Sequence, residues 1–425
     1  MQVYYKVADC LSKISSGHAN FKYAVFEHQK NPKFTQIYAL TSAILQHRGV
    51  LDRIEKFVRN SMVDESIDNR FLFRVILYEH VISSKKLKMG GKLSRMVKTC
   101  KPDIIKHFGA EITPLQRAAE KKLIKKLVHV RYIPEGDAGK EQTVHELRAF
   151  KKEAVIPNLY CLEYGEYTKF NEARFPLYKH PNYVIQSKSS CLPVHILHRE
   201  LGSGFEGSII ETCSAPGNKT LQILEYFPKA YVHSFELDPK RFKVLQQRVA
   251  MHSKPYFADR SLYNADFFNA ANTGIDLTAI KAVVCDPSCS GSGMLNRIQD
   301  DAPEGTDLET YVDAKVKRLS IKEADKVKQL AVFQRSMISF CMRSLPNLTH
   351  LVYSTCSVYP QEDEEVVEFI LKEHPQFELA NALDGLWSQR GFSKEKWAFN
   401  AEYCIRENPL EKENDGFFVA LFKRK

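Results

Sequence analysis

Val283-Val284-Cys285-Asp286-Pro287-Ser288-Cys289-Ser290-Gly291-Ser292-Gly293-Met294 is the stretch on which the reading of the fold turns. An apolar run ends in a carboxylate and a proline, then a cysteine, then alternating small residues. Such a run fits a strand buried on both faces of a parallel sheet. The proline biases Asp286 toward extended backbone and ends the strand. The glycines that follow let the loop turn tightly and let a ligand approach the backbone. Asp286 and Cys289 are therefore expected at the carboxyl edge of a sheet, where open α/β folds hold their ligands. Taken alone, the stretch fits a buried strand and an ordinary turn equally well.

The flanking sequence favours the first reading. From Gly207 onward, strand patterns at Ser208–Thr212, Ala230–Glu236, Ala282–Asp286 and His350–Ser354 alternate with helical patterns at Thr220–Tyr226, Pro239–His252 and Lys322–Leu345. Strand–helix alternation predicts a doubly wound, mostly parallel sheet. Asn296–Glu323 reads as a charged surface insertion before the long helix. A helix at Gln361–Glu373 and a strand at Gly416–Lys423 close the chain. Upstream, residues 128–200 read as a small α/β module. Val128–Ile133 alternates like a strand and Thr143–Lys152 is a short helix. Tyr160, Tyr164, Tyr167, Tyr178 and Tyr183 offer rings for packing or for stacking on bases. Residues 1–82 are helical, with Phe71–Ile82 as the inner helix. A later helix starts at Thr113, with Pro114 first and Gln116 third in a capping-box pattern. Three domains follow: 1–127, 128–200 and 201–425.

The charge is uneven. The chain has 425 residues and a formal net charge of +10, yet residues 1–150 hold 27 Lys+Arg against 15 Asp+Glu and the remainder 34 against 36. A basic front end on a nearly neutral body points to a polyanion partner. Between Lys85 and Arg131 there are 14 basic residues and three acids, including the loop Lys85–Lys92 and Lys121, Lys122, Lys125 and Lys126. A glycine-bearing basic run of this length suits phosphate contacts. The ten cysteines show no C-x-x-C spacing, so no metal site is expected. A chain of this size needs no disulfide framework, which suits a reducing compartment. No secretory pattern opens the chain, and its best apolar stretch is too short to span a bilayer, so a soluble, intracellular protein is expected.

Chemistry gathers at the expected strand ends. Cys213-Ser214-Ala215-Pro216-Gly217-Asn218-Lys219-Thr220 is a small-residue turn that opens a helix, and a helix N-terminus favours an anionic group. Glu236 follows Gly217 by 19 residues and ends the second strand, where a carboxylate takes both hydroxyls of a ribose. Asp266, beside Phe267, suits an adenine amino group. Cys289 and Cys356 (in Ser354-Thr355-Cys356-Ser357) come from two adjacent strand ends. One thiol there is ordinary packing, whereas two point to chemistry. Thiolate addition at C6 of a pyrimidine makes C5 nucleophilic, with Asp286, if protonated, as the acid that supports N3.

These segments resemble a known family. Cys213–Thr220, Asp286–Gly293 and Ser354–Ser357 look like the motifs of the Sun-domain RNA cytosine-5 methyltransferases. The S-C-S-G-S-G form is closest to the eukaryotic subfamily acting on large-subunit ribosomal RNA. Met89-Gly90-Gly91, Ile156-Pro157-Asn158-Leu159 and Gly416-Phe417-Phe418 agree. The resemblance implies a Rossmann-like methyltransferase core and S-adenosylmethionine as methyl donor, bound by Cys213 to Lys219, Glu236, Arg241, Asp266 and Asp286. It also implies Cys356 as nucleophile, Cys289 as the group assisting release, ribosomal RNA as partner, a monomer, and a nuclear, nucleolar location. The residues alone do not rank the two cysteines. A DNA cytosine methyltransferase would use Cys289 instead, and a ribosome-assembly factor would need neither thiol; transfer RNA is the alternative substrate. The sequence departs from the family at Ser187, where Asp is usual. After Arg131 an expected Asn and Lys are missing. Glu211 replaces the commoner Asp, and Asn218 the commoner Gly.

Overall fold

A computed structural model describes residues 2–425 apart from 17–23, 26, 29–30, 62–68, 84–90, 125–126, 136–149, 164–179, 295–304, 393–396 and 412–414. The chain forms two compact units, Met1–Ile124 and Lys125–Lys425. No helix among the described residues is long and apolar enough to cross a membrane.

The first unit is helical: α1 (Gln2–Ser15), α2 (Phe34–Gln46), α3 (Arg48–Ser61), α4 (Arg70–Val81) and α5 (Lys92–Ile124). Asn69 caps α4 by accepting the Leu72 N–H at 2.8 Å. As its apolar run predicts, α4 is the inner helix, with Phe73, Val75 and Leu77 fully buried. Its buried Arg74 pairs with Glu55 of α3 at 2.6 Å, so the charge is not left unmatched. The expected helix start at Thr113-Pro114 is not a start, because α5 runs through both Pro102 and Pro114. Each proline removes one N–H from the ladder. Buried Ile104 and Ile112, and the Gln116 amide donating to the Val81 carbonyl at 2.7 Å, hold the helix together across them. Of the basic run, residues 84–90 and 125–126 lie outside the described residues.

The second unit opens with a four-stranded antiparallel sheet. It comprises β1 (Leu127–Tyr132), β2 (Lys151–Lys152), β3 (Leu159–Glu163) and β4 (Tyr183–Ile185), in the order β2-β3-β1-β4. The expected helix over Thr143–Lys152 fails at its end: Lys151 and Lys152 pair with Cys161 and Tyr160 as a strand, and 143–149 lie outside the described residues. Cross-strand pairing has overridden local propensity. Tyr160 and Tyr183 pack with Val130, Tyr132 and Phe150. Tyr164, Tyr167 and Tyr178 lie outside the described residues. Helix α6 (Lys188–Leu201) follows, unforeseen from the sequence. Ser187 caps it by accepting the Ser190 N–H, and Gly202 ends it at φ 74°. The departure at 187 is therefore conservative for the helix, since Ser and Asp both serve as N-caps. Arg131 is fully buried, ion-paired with Glu225 and hydrogen-bonded to Gln186. It fastens the small sheet to Glu225, in the helix Asn218–Tyr226 that follows the first strand of the larger sheet.

The larger sheet is mixed. Its strands are β5 (Gly207–Glu211), β6 (Ala230–Phe235), β7 (Asp259–Tyr263), β8 (Ile280–Cys285), β9 (His350–Thr355), β10 (Phe377–Ala380), β11 (Ile405–Glu407) and β12 (Phe417–Arg424). They lie in the order β10-β12-β9-β8-β5-β6-β7, with β11 on β12. Strands β7-β6-β5-β8-β9 are parallel, and β12 runs antiparallel to β9. Helices α7 (Asn218–Tyr226), α8 (Pro239–His252), α9 (Leu308–Lys317), α10 (Ile321–Ser344) and α11 (Glu364–Glu373) connect the strands. Two apolar clusters form the core. Residues on the two faces of one strand, such as Ile209 and Ile210, fall into different clusters, so both faces of the sheet are covered. The stretch Asn296–Glu323 is more than a surface insertion. It contains α9, capped by Asp307, with Tyr311 and Val312 buried against Val358 and Tyr359. The order of strand addition reverses between β5 and β8, which stay parallel, and that switch point is where ligands bind in such folds.

Candidate active site

Strands β6, β7, β8 and β9 each end beside a residue marked in the sequence: Glu236, Asp266, Asp286 and Cys356. All therefore sit along one carboxyl edge. Cys289 follows Asp286 in the loop after β8, and its Sγ lies 3.1 Å from the Sγ of Cys356. The two predicted cysteines are thus in contact. Their thiols are driven apart in acidity. Cys289 is raised well above the usual thiol range, first by its hydrogen bond to Cys356 and then by burial. Cys356 is lowered, first by the Cys289 hydrogen bond, with Lys219 assisting, against the opposing effects of burial, Asp286 and Asp415. The two shifts run in opposite directions and make Cys356 the more acidic, and so the more readily nucleophilic, of the two thiols.

Asp286 accepts from the Lys219 ammonium at 2.7 Å and from the Ser354 hydroxyl at 2.7 Å. Both carboxylate oxygens are acceptors here, and Lys219 is the proton donor of the pair. Burial opposes the Lys219 charge, but Asp286 raises its pKa. Lys219 also donates to Ser190 Oγ at 3.3 Å and lies 5.5 Å above the Phe417 ring. Lys219, expected to line the cofactor, thus reaches Asp286 and belongs equally to the thiol end.

Of the remaining cofactor candidates, Cys213 to Gly217 form the turn between β5 and α7, and Asn218 opens that helix. Gly217, in the left-handed region at φ 104°, is the N-cap of α7 and offers no side-chain cap, so the first-turn N–H groups stay directed at the edge. A Cβ on Gly217 would meet Leu245 at 3.0 Å. Glu236 is 4% exposed and accepts the Ala215 N–H at 3.2 Å and the Asp238 N–H at 3.0 Å. Arg241 lies 3.6 Å from Glu236 and donates to the Ala215 carbonyl at 2.6 Å. Ser214 is buried and Pro216 exposed. Cys213 contacts Met337 at 4.0 Å, and burial pushes its thiol up to about 12, so it serves as packing. Asn218 accepts from Arg248 at 2.6 Å and points away from the edge. Asp266 accepts the Phe268 N–H at 3.1 Å. An anchored carboxylate, a second acid on the next strand and an uncapped helix N-terminus fit a nucleoside carrying a charged tail.

Sequence reading missed the framework under the thiols. Ser290, Ser292 and Ser357 share hydroxyl contacts of 3.0–3.2 Å. The Gly293 N–H donates to the Cys356 carbonyl at 3.0 Å, and a Cβ on Gly293 would lie 2.5 Å from the Gly416 carbonyl oxygen. Lys315 of α9 donates to the Ser292 carbonyl at 2.9 Å. The signal was present: the alternating serines of Cys289–Gly293 and the serine after Cys356. Glu211 accepts from Thr220 and Ser234, and burial raises it to about 7. One further group, His129, Glu153 and Cys161, has metal-ligand chemistry among the described residues. Lys188 sits 3.0 Å from Glu153 and supplies the charge a cation would bring.

A doubly wound sheet with two acids, Glu236 and Asp266, toward one end of its carboxyl edge and a thiol pair toward the other is the framework of an α/β transferase. Residues 201–423 match the model of the 16S rRNA methyltransferase RsmB/F family, and the chain belongs to that family of S-adenosylmethionine-dependent RNA methyltransferases. It is 31% identical over 293 residues to a mouse protein described as a 28S rRNA (cytosine-C(5))-methyltransferase, a match covering 67% of this chain and 56% of the relative. It is 27% identical to a 25S rRNA (cytosine-C(5))-methyltransferase of Schizosaccharomyces pombe, over 99% of this chain and 91% of that one. Among solved structures, a methyltransferase homologue from Pyrococcus horikoshii has the same fold, with a TM-score of 0.51 at 17% identity over 76% of this chain and 95% of its own. PH0851 matches at a TM-score of 0.60, 16% identity and 99% of both chains.

Proposed function

We propose that the chain methylates C5 of cytosine in RNA, with large-subunit ribosomal RNA as the substrate. The observation that carries the reading is the 3.1 Å contact between the sulfurs of Cys289 and Cys356 at the carboxyl edge. The printed activities of the mouse and fission-yeast relatives support the choice of RNA. When bound, S-adenosylmethionine supplies an electrophilic methyl group on a sulfonium, with Glu236 and Asp266 as holders of its nucleoside and Ser214 to Gly217 as the backbone it lies against. Arg241 keeps the Glu236 carboxylate in place.

The protein's own steps follow from the thiol geometry. Cys356 Sγ forms a bond to C6 of an unstacked cytosine, and the C5–C6 π electrons move to make C5 nucleophilic. Lys219 and Asp286 support N3 as negative charge collects on the ring, Lys219 being the donor and Asp286 its anchor. After C5 has gained its methyl group and passed its proton to water, the C5–H electron pair re-forms the C5–C6 double bond and the C6–Sγ bond breaks. Cys289, 3.1 Å from that sulfur, then donates to it as it departs. The base must leave its stack, which costs a few kcal/mol and favours unpaired RNA. Residues 1–127 offset that cost through phosphate contacts. We place the protein in the nucleus and nucleolus, as a monomer, with residues 128–200 as a module that precedes the catalytic domain 201–425 within the second compact unit.

The test is bisulfite mapping of total RNA before and after loss of the protein. Loss of one or more 5-methylcytosines in large-subunit rRNA is expected. Loss confined to transfer RNA would redirect the substrate, and no loss anywhere would favour an assembly factor.

A further inference from the structure

Glu362 carries the inference. It lies six residues beyond Cys356, in the turn Pro360–Glu362, and is fully buried. A buried carboxylate must have its oxygens satisfied, and the partners of this one are the loops of both cysteines. Oε1 accepts the N–H of Ser290, next to Cys289, at 2.8 Å, and the amide of Gln334 at 3.0 Å. The same Gln334 amide donates to the carbonyl of Ser288, on the other side of Cys289, at 3.1 Å. Oε2 accepts the hydroxyl of Ser357, next to Cys356, at 2.7 Å. One neighbour of each cysteine thus bonds directly to a single carboxylate, and the other neighbour of Cys289 is tied to it through the Gln334 amide. Nothing else in the mechanism uses it.

We propose that Glu362 is a positioning residue that fixes the contact between the thiols of Cys289 and Cys356. It touches neither sulfur. Its negative charge faces Cys289 and adds to what keeps that thiol protonated, so the same group orders the pair and biases which sulfur becomes the nucleophile. The inference rests on the two-thiol reading of the reaction. It explains why the Cys289 loop is serine-rich: Ser290 and Ser292 share the Ser357 hydroxyl, which is itself fastened to Glu362.

The test reads thiol chemistry without RNA. Peptide-resolved alkylation of Cys356 by iodoacetamide is followed against pH in the full chain and in Glu362→Gln, Cys289→Ala and the double variant. The charged and titratable groups facing Cys356 are Cys289, Asp286, Lys219 and Asp415, and all but Cys289 stay the same across the set. Glu362→Gln is expected to shift the alkylation midpoint up by about one pH unit and slow alkylation at pH 7 about tenfold. Cys289→Ala is expected to do the same, and the double variant no more than either single one, because both changes remove one interaction. An unshifted profile in Glu362→Gln overturns the proposal. So does an equal further slowing in the Cys289→Ala background, which marks a general structural role. If Glu362→Gln does not fold, Ser357→Ala, which keeps the carboxylate and cuts its link to the Cys356 loop, is expected to shift the midpoint in the same direction by a smaller amount. An unchanged midpoint there overturns the proposal equally. Methyl transfer to RNA by the unmodified chain is assayed separately: its failure would sink the proposed reaction while leaving the thiol result standing.

Discussion

At the scale of single residues, the thiol pair makes opposite demands on its two members. Cys356 must be anionic to attack, while Cys289 must hold a proton to let the product go. Cys289→Ala is therefore expected to accumulate a covalent RNA adduct through Cys356, seen as a denaturant-resistant shifted band, with turnover reduced on the order of a hundredfold. Removing the Cys289 donor also raises the Cys356 pKa, so the adduct should form faster at pH 8.5 than at pH 7. A fully active Cys356→Ala with no band from Cys289→Ala would refute the scheme. Glu211 offers a second measurement. Its ordinary value is 4.5 and burial raises it to about 7. The fold favours its neutral form, so stability present below pH 4.5 is lost as pH rises through 7, by roughly 3 kcal/mol at most. Glu211→Gln should raise Tm at pH 8 and leave it nearly unchanged at about pH 4, as thermal melts would show. The two cysteines and the strand-end acids were legible from residue type and spacing. Their ranking was not, because it depends on a sulfur–sulfur contact between segments 67 residues apart.

At the scale of elements, the parallel strands β5, β6, β8 and β9 and their helices were read to within about two residues, whereas β7 at Asp259–Tyr263 was not. Pro114 follows a good capping residue, yet α5 continues through it, because helix packing outweighs one missing backbone bond. Helix α6 was overlooked because its apolar face has no clean period: Cys191, Leu192, Val194, Ile196 and Leu197 are all buried. A helix buried on nearly every side loses the pattern by which helices are found. Its cap was legible all the same. Ser187→Ala should destabilise the second unit by about 1 kcal/mol, through loss of the bond to the Ser190 N–H. Ser187→Asp should be neutral or stabilising, since a carboxylate suits a helix N-terminus. Urea unfolding of the three proteins decides it. A cost from Asp as large as that from Ala would show that the 187 side chain does something other than capping.

At the scale of the whole molecule, the charge is segregated. Residues 1–150 carry a net +12 (27 minus 15) and the rest a net −2 (34 minus 36), although the proposed chemistry lies entirely in the nearly neutral part. A neutral catalytic unit has little long-range attraction for RNA, so affinity must come from the basic front end and catalysis from elsewhere. The two functions should then separate by salt. With about four phosphates neutralised, raising monovalent salt from about 50 to about 200 mM is expected to weaken RNA binding roughly fiftyfold, by counterion release. S-adenosylmethionine is expected to bind almost equally at both concentrations, because its holders act at short range in a partly buried turn. Changing Lys121, Lys122, Lys125 and Lys126 together to Glu should flatten the salt dependence of RNA binding and leave cofactor affinity and the Cys356 alkylation profile unchanged. Fluorescence anisotropy with labelled RNA and calorimetry with the cofactor measure the two arms. A salt slope unaltered by the four changes would move the RNA contacts away from these lysines, and a cofactor affinity falling in step with RNA affinity would defeat the separation itself.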